Sequence, residues 1–135
     1  MEKITTVCEE NFRCRTINKN GEPIATDAGV DHGGKGEAYS PVDMVVVSLC
    51  SCVLTVMSMV AKQHSVELKG AQLEAHYDMA DKPARRIGKI WLHLILPKGI
   101  PEAKRPILER TIKMCPVHNS LHPDIQHDLK VDYTA

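Results

Sequence analysis

The stretch SPVDMVVVSLCSCVLTVMSMVAK, residues 40–62, decides the fold of this chain. Between Asp43 and Lys62 it runs for 18 residues without a charge. Ser40 followed by Pro41 is typical of a helix start, because a hydroxyl caps free N–H groups and proline is favoured at the first helical position. The stretch therefore predicts one long helix that begins at residues 40–41 and ends near Lys62.

This predicted helix is apolar on nearly every side. The apolar residues that surround it are Met44, Val45, Val46, Val47, Leu49, Val53, Leu54, Val56, Met57, Met59 and Val60. Such a helix lies in a protein core or in a membrane. Four hydroxyl side chains inside the stretch, and the absence of flanking lysine or arginine clusters, favour a buried central helix over a membrane span.

The composition of the chain limits its partners. With 135 residues it predicts a single domain over residues 1–135. Seventeen basic side chains balance 17 acidic ones and aromatic residues make up 4%, which argues against nucleic-acid or membrane-surface binding. The first ten residues carry acids and no apolar run, so they do not resemble an export signal. The five cysteines then indicate reduced thiols in a cytoplasmic protein.

Alternating segments predict strands on both sides of the long helix. The predicted strands are residues 3–9, 11–18, 22–26, 66–79, 87–96 and 125–133, and a second helix covers residues 102–115. Asn20 and Gly21 predict a hairpin turn, and residues 116–121 one further helical turn. The candidate inward positions of the first strands are Val7, Phe12, Cys14 and Thr16.

This order of elements predicts an α+β fold, with antiparallel sheets packed on the central helix. A helix that is apolar all round needs cover all round, and six strands with one further helix hardly supply that in a monomer. We therefore expect an obligate homodimer.

Two cysteines of the long helix differ in their surroundings. On a helical wheel, Cys52 shares a stripe with Ser48, Thr55 and Met59, whereas Cys50 lies on the far side among valines. Cys52 is therefore the candidate reactive thiol and Cys50 a packing residue. Cys115 lies on the apolar face of the second helix, which also contains Leu108, Thr111 and Ile112. If the two helices pack, Cys52 and Cys115 reach disulfide range and can act as a redox pair.

A metal site is the alternative use of the C-terminal polar residues. Cys115, His118, His122 and His127 lie close in sequence, with His32 or Asp124 as a further ligand. Cysteine and histidine at short spacings are zinc ligands, but these spacings match no closed-site pattern. Solvated histidines are the preferred interpretation, so no metal and no cofactor is expected.

Three features together resemble the OsmC/Ohr family of osmotically inducible and organic hydroperoxide resistance proteins. They are the Ser-Pro-x-Asp sequence at residues 40–43, a cysteine eleven residues after the proline, and the Cys-Pro-Val sequence at residues 115–117. The resemblance implies an α+β fold built as an intertwined homodimer. It also implies a thiol peroxidase for small organic hydroperoxides, recycled by a dithiol reductant, with Cys52 as the peroxidatic and Cys115 as the resolving cysteine.

The chain departs from this family at the residues that support the thiol. The family has a glutamate directly after the proline, where this chain has Val42 followed by Asp43. The glycine-rich segment 27–39 contains no arginine, and its candidate cations are His32 and Lys35. The alternative function is therefore a non-catalytic module of the same fold that binds a small apolar or thiol-containing ligand near Cys52.

Overall fold

The computed structural model describes residues 3–135. The strands are β1 Thr5–Cys8, β2 Cys14–Ile17, β3 Ile24–Thr26, β4 Gln72–Ala80, β5 Arg86–Ile95 and β6 Gln126–Asp132, and the helices are α1 Pro41–Gln63, α2 Arg105–Arg110 and α3 Pro116–Ser120. The chain forms two compact units, one ending at Val45 and the other covering Val46–Ala135. The α+β class is confirmed, and the single domain over residues 1–135 stays a prediction.

The first unit contains an antiparallel sheet in the order β1-β2-β3. The turn at residues 20–21 joins β2 to β3 as predicted. The strands are shorter than predicted because Asn11 and Phe12 have left-handed φ values of 57° and 62°, which interrupt extended backbone before Cys14. Phe12 and Val7 are 67% and 52% exposed, so their predicted inward positions are wrong.

A buried carboxylate organises the loop after β3. Asp27 is fully buried, and its Oδ2 accepts a hydrogen bond of 3.1 Å from the backbone N–H of Glu37. Arg13 lies 4.0 Å from the same oxygen. The Glu37 N–H first, and then the N–H groups of Ala28 and Lys35 with the Arg13 charge, outweigh burial and lower the pKa of Asp27 below 3.8.

We expect Asp27→Asn to lower the melting temperature at pH 7. The folded state favours the ionised carboxyl, so its contribution is present above the unfolded pKa of about 3.8 and is lost as pH falls through the lower folded value. The difference in melting temperature between the wild type and the variant should therefore shrink below pH 4. The control is Asp31→Asn at an exposed position of the same loop. A difference that persists unchanged in acid would contradict this role of the carboxylate.

A reciprocal cap starts α1, as the Ser-Pro sequence predicts. The Ser40 N–H donates to Asp43 Oδ2 at 2.9 Å, and the Asp43 N–H donates to Ser40 Oγ at 3.0 Å. This arrangement is a capping box, and it satisfies backbone donors at the helix start. The helix ends at Gln63, within one residue of the predicted end.

The single chain covers α1 along one side. A single stripe is buried, formed by Val46, Leu49, Val53, Met57 and Ala61. Val47 and Met59 are 37% and 62% exposed, so a single copy of the chain leaves part of the helix uncovered, as the sequence pattern predicts for a monomer, and the homodimer stays a prediction. By length and hydropathy α1 is the one helix within residues 3–135 that could cross a membrane, which is weak evidence because core helices pass the same test.

The second unit contains the sheet β4-β5-β6. β4 and β5 form the predicted antiparallel hairpin, but β4 begins at Gln72 because Gly70 adopts a left-handed φ of 91° in a turn. The alternation of β5 is confirmed. Its fully or nearly buried residues are Ile87, Ile90, Leu92 and Leu94, followed by Leu96 just beyond the strand.

The last strand corrects the prediction of purely antiparallel sheets. β6 pairs with β5 in parallel, with Leu92 opposite Leu129 and Leu94 opposite Val131. Parallel neighbours need a long crossover connection, and the helical segment between β5 and β6 supplies it.

The predicted second helix is broken into shorter pieces. A 3-10 turn at Glu102–Lys104 leads into α2, and a second 3-10 turn covers Thr111–Met114. The Thr111 hydroxyl donates to the Leu108 carbonyl oxygen at 2.6 Å, within this tighter turn. The predicted apolar face is confirmed, because Leu108, Thr111, Ile112 and Cys115 are all buried.

Candidate functional site

Cys52 lies in the middle of α1, on the side that the single chain leaves partly open. It is half-buried, whereas Val53 beside it is fully buried in the helix stripe. Ser48 and Thr55, which share its face, are exposed. Cys50 is also half-buried, and burial raises the pKa of its thiol. The structure therefore gives Cys52 access to solvent, as its polar stripe predicts, but does not bury Cys50 completely.

Cys115 lies between two short helical segments. It follows the 3-10 turn Thr111–Met114, has extended backbone, and is the N-cap of α3, which Pro116 begins. Its sulfur is fully buried and accepts a hydrogen bond of 3.4 Å from the backbone N–H of His118. The local sequence Cys-Pro thus fixes this thiol at a helix start, where an acceptor is favoured.

The structure places the side chains of Cys52 and Cys115 close enough to interact. Burial and a hydrogen bond with Cys52 raise the pKa of the Cys115 thiol above its ordinary value of 9.0, while the N–H groups of His118 and Val117 oppose this shift. The Cys115 thiol is therefore harder to ionise than an ordinary cysteine thiol, and it interacts with the Cys52 side chain. The half-exposed Cys52 is the thiol of the pair that a small molecule reaches first.

Two histidines that follow Cys115 in the sequence lie close together, His118 on α3 and His127 on β6. The ring centroids of His118 and His127 are 4.9 Å apart, and burial, followed by the charge of His118, lowers the pKa of His127. No three histidine, cysteine, aspartate or glutamate side chains within residues 3–135 form a group that could hold a metal ion. The alternative metal site at Cys115 and the histidines therefore has no assembled ligand set.

The predicted supporting residues lie in the first unit. The Asp43 carboxylate is part of the helix cap, His32 ends a 3-10 turn at Val30–His32, and Lys35 is exposed in the loop. Their action on Cys52 stays a prediction. Arg13 is a cation of this unit with a close acidic partner, since its guanidinium lies 3.0 Å from Glu37. Reasoning from the sequence missed this pairing because 24 residues separate the two side chains.

A family model described as OsmC-like protein matches residues 34–130. This match includes both Cys52 and Cys115. The chain belongs to the OsmC-like protein family. The resemblance inferred from the Ser-Pro-x-Asp and Cys-Pro-Val sequences is thereby confirmed.

Solved structures agree with this assignment. An osmotic stress induced and detoxification response protein from Psychrobacter arcticus is 31% identical, with a TM-score of 0.90 over 98% of this chain and 96% of that one. An OsmC-like protein from Mycoplasma pneumoniae is 19% identical, with a TM-score of 0.83 over 98% of this chain and 96% of that one. An organic hydroperoxide resistance protein from Vibrio cholerae is 19% identical, with a TM-score of 0.76 over 100% of this chain and 93% of that one. No curated protein matches the sequence.

Proposed function

We propose that this OsmC-like protein reduces small organic hydroperoxides with the thiols of Cys52 and Cys115. The observation that supports the proposal is the proximity of the two thiols, which places a half-buried and a buried cysteine side by side in one unit. Neighbouring thiols can pass from dithiol to disulfide when their sulfurs reach bonding distance. The family's relation to organic hydroperoxide resistance proteins supports the choice of substrate.

The proposed reaction has two steps in the protein. The Cys52 thiolate attacks the outer oxygen of the hydroperoxide, the O–O bond breaks, and an alcohol leaves after taking a proton. Cys52 is then a sulfenic acid. The Cys115 sulfur attacks the Cys52 sulfur, its proton and the hydroxyl leave as water, and a disulfide forms. A dithiol reductant from the cytoplasm, where we place the protein, returns both thiols by exchange.

Two interactions of Cys115 act at different steps of the proposed cycle. Before reaction, burial favours the protonated form of Cys115, whose S–H would then be available to donate to the Cys52 sulfur. During reduction of the disulfide, Cys115 becomes a leaving thiolate beside the N–H groups of His118 and Val117. Hydrogen bonds to a thiolate favour its departure. We propose His32 and Lys35 as the candidate cations for activating Cys52, and Asp43 as the candidate substitute for the family glutamate.

A second copy of the chain is the partner that we propose for the exposed apolar surface. Val47 and Met59 on α1 are exposed, and so are Ile4 and Val30 in the first unit. Exposed apolar side chains in such numbers are typical of interaction surfaces. A homodimer is measured directly by light scattering, and a monomer at micromolar concentration would overturn this part of the proposal.

A second candidate function is a binding module without turnover. The Vibrio cholerae relative holds captopril in one of its active sites, which shows that a site in that protein accepts a small organic ligand. In this chain the same role would place an apolar or thiol-containing molecule beside the half-exposed Cys52. Turnover separates the two functions, because a binding module leaves the hydroperoxide unchanged.

The test of the proposed function is the mass of the protein after one equivalent of cumene hydroperoxide. We expect a loss of two hydrogens and a tryptic cross-link between peptides 36–62 and 114–130, which contain Cys52 and Cys115. All five thiols remaining reactive to iodoacetamide would show that the proposed reduction is wrong.

Replacing Cys115 separates the two chemical steps. We expect Cys115→Ser to react once with the hydroperoxide and to accumulate a sulfenic acid at Cys52, because no thiol is in place to condense with it. Trapping with dimedone followed by peptide mass spectrometry measures this product. The control is Cys50→Ser, which should still close the disulfide. Dimedone labelling of Cys115 in the wild type would instead reverse the roles of the two cysteines.

A further inference from the structure

The first unit holds a second pair of thiols, distant in sequence from Cys52 and Cys115. Cys8 ends β1, Cys14 begins β2, and the antiparallel register places them directly opposite each other. Both are free thiols, with Cys8 exposed and Cys14 half-buried. Residues that lie opposite each other in a sheet point to the same face. The proposed peroxide chemistry uses neither thiol.

Hydrogen bonding shows which kind of pair the two cysteines form. The next residues along the ladder are bonded, because the Glu9 N–H donates to the Arg13 carbonyl oxygen at 2.8 Å. Hydrogen-bonded and non-hydrogen-bonded pairs alternate along antiparallel strands. Cys8 and Cys14 are therefore a non-hydrogen-bonded pair, the kind in which Cα atoms approach to about 4.5 Å and side chains lie closest. That separation falls within the range of about 4.4–6.8 Å that a disulfide spans.

A neighbouring contact shows that side chains meet on this face. Thr6 and Thr16 occupy the equivalent non-hydrogen-bonded pair two residues along the strands. Their hydroxyl oxygens are 2.9 Å apart. The β1–β2 spacing thus lets opposite side chains touch at this kind of position, and the thiols of Cys8 and Cys14 share that face.

We propose that Cys8 and Cys14 form a cross-strand disulfide by exchange with a low-molecular-weight disulfide such as oxidised glutathione. The exposed Cys8 thiolate attacks one sulfur of the small disulfide, whose S–S bond breaks and releases one thiolate. The Cys14 thiolate then attacks the Cys8 sulfur and displaces the second thiolate. Two protein thiols are oxidised and one small disulfide is reduced to two thiols, so atoms and electrons balance.

The disulfide would close the loop that carries Arg13. Arg13 directly precedes Cys14, and its guanidinium lies 3.0 Å from Glu37 and 4.0 Å from the buried Asp27. β1 is exposed along its whole length, and short exposed hairpins are marginally stable on their own. A cross-link at residues 8 and 14 restricts the unfolded loop and thereby stabilises the hairpin. The redox state of this pair would therefore set the stability of the first unit.

The test uses the wild-type protein with oxidised glutathione and tryptic mapping. Cleavage after Arg13 and Arg15 separates the cysteines, so the disulfide links the peptide 4–13 to the dipeptide Cys14–Arg15. This product differs from the link between peptides 36–62 and 114–130 that the Cys52–Cys115 disulfide gives. The two cross-linked peptides therefore show separately whether Cys8 and Cys14, and whether Cys52 and Cys115, have oxidised. A glutathione adduct that persists on Cys8, or no oxidation of either thiol, would overturn the proposal.

Two variants sharpen the test. In Cys50→Ser/Cys52→Ser/Cys115→Ser, an internal disulfide can join residues 8 and 14 alone, and we expect both to lose reactivity to iodoacetamide together. The register control adds Cys14→Ser and Arg15→Cys to that background. The side chain at position 15 points to the opposite face of β2. We therefore expect the cysteine introduced there to retain a glutathione adduct and to give no cross-linked peptide. Equal cross-linking in both variants would show that the strand register does not determine which thiols form the disulfide.

Discussion

Cys52→Ser is expected to lower the rate of cumene hydroperoxide consumption by at least about a thousandfold, to the rate without protein. A serine hydroxyl is almost entirely protonated at neutral pH, whereas the nucleophile in peroxide cleavage is a thiolate. The variant also removes the sulfur that forms the bond with Cys115, so neither step can occur. The measurement is hydroperoxide loss with dithiothreitol as the dithiol reductant.

Cys50→Ser is the matched control because it makes the same change on the same helix. Cys50 is half-buried like Cys52, and burial raises the pKa of its thiol. The contact with Cys115 belongs to Cys52, so Cys50→Ser should keep most of the activity. Substantial turnover in Cys52→Ser, with loss of activity in Cys50→Ser, would assign the nucleophile to the other cysteine. Loss in both variants would require comparison of their circular dichroism spectra with that of the wild type.

Local patterns in the sequence predicted the elements that hold the two thiols. Ser40 and Pro41 mark the start of α1 because capping depends on residues within one turn. The apolar spacing of Leu108, Ile112 and Cys115 predicted the buried face correctly, although the helix itself is broken into 3-10 and α segments. The spacing of apolar side chains predicts which face is buried, and this prediction still holds where the helix changes from α to 3-10.

Features that depend on distant residues could not be predicted in the same way. The parallel pairing of β6 with β5 depends on how residues 96–125 cross over, which no local pattern encodes. The alternating pattern alone predicts that a strand continues through Phe12. The left-handed φ of Phe12 interrupts the extended backbone at this position. The pairing of Arg13 with Glu37 follows from the folded loop, and the Cys8–Cys14 register requires the turn between β1 and β2 to be known.

Leu94→Ala is expected to lower the free energy of unfolding by about 2–5 kcal/mol. Leu94 is fully buried on β5, which lies between β4 and β6, and it stands opposite Leu73 on one side and Val131 on the other. Truncation removes apolar contacts and leaves a cavity that the neighbouring strands cannot fill without changing the ladder. In urea unfolding followed by circular dichroism, the midpoint should fall by about 1–2 M.

Leu129→Ala on β6 is the matched control, since it removes the same atoms from the same sheet. Leu129 is 46% exposed in the single chain, so its truncation should destabilise the protein by about 1 kcal/mol or less. An equal loss in the free energy of unfolding in both variants would contradict the difference in burial between Leu94 on β5 and Leu129 on β6. An equal loss could also arise if a second copy of the chain covers Leu129, and repeating the titration at several protein concentrations tests this. Cover by a second copy makes the unfolding midpoint depend on protein concentration, whereas packing within one chain does not.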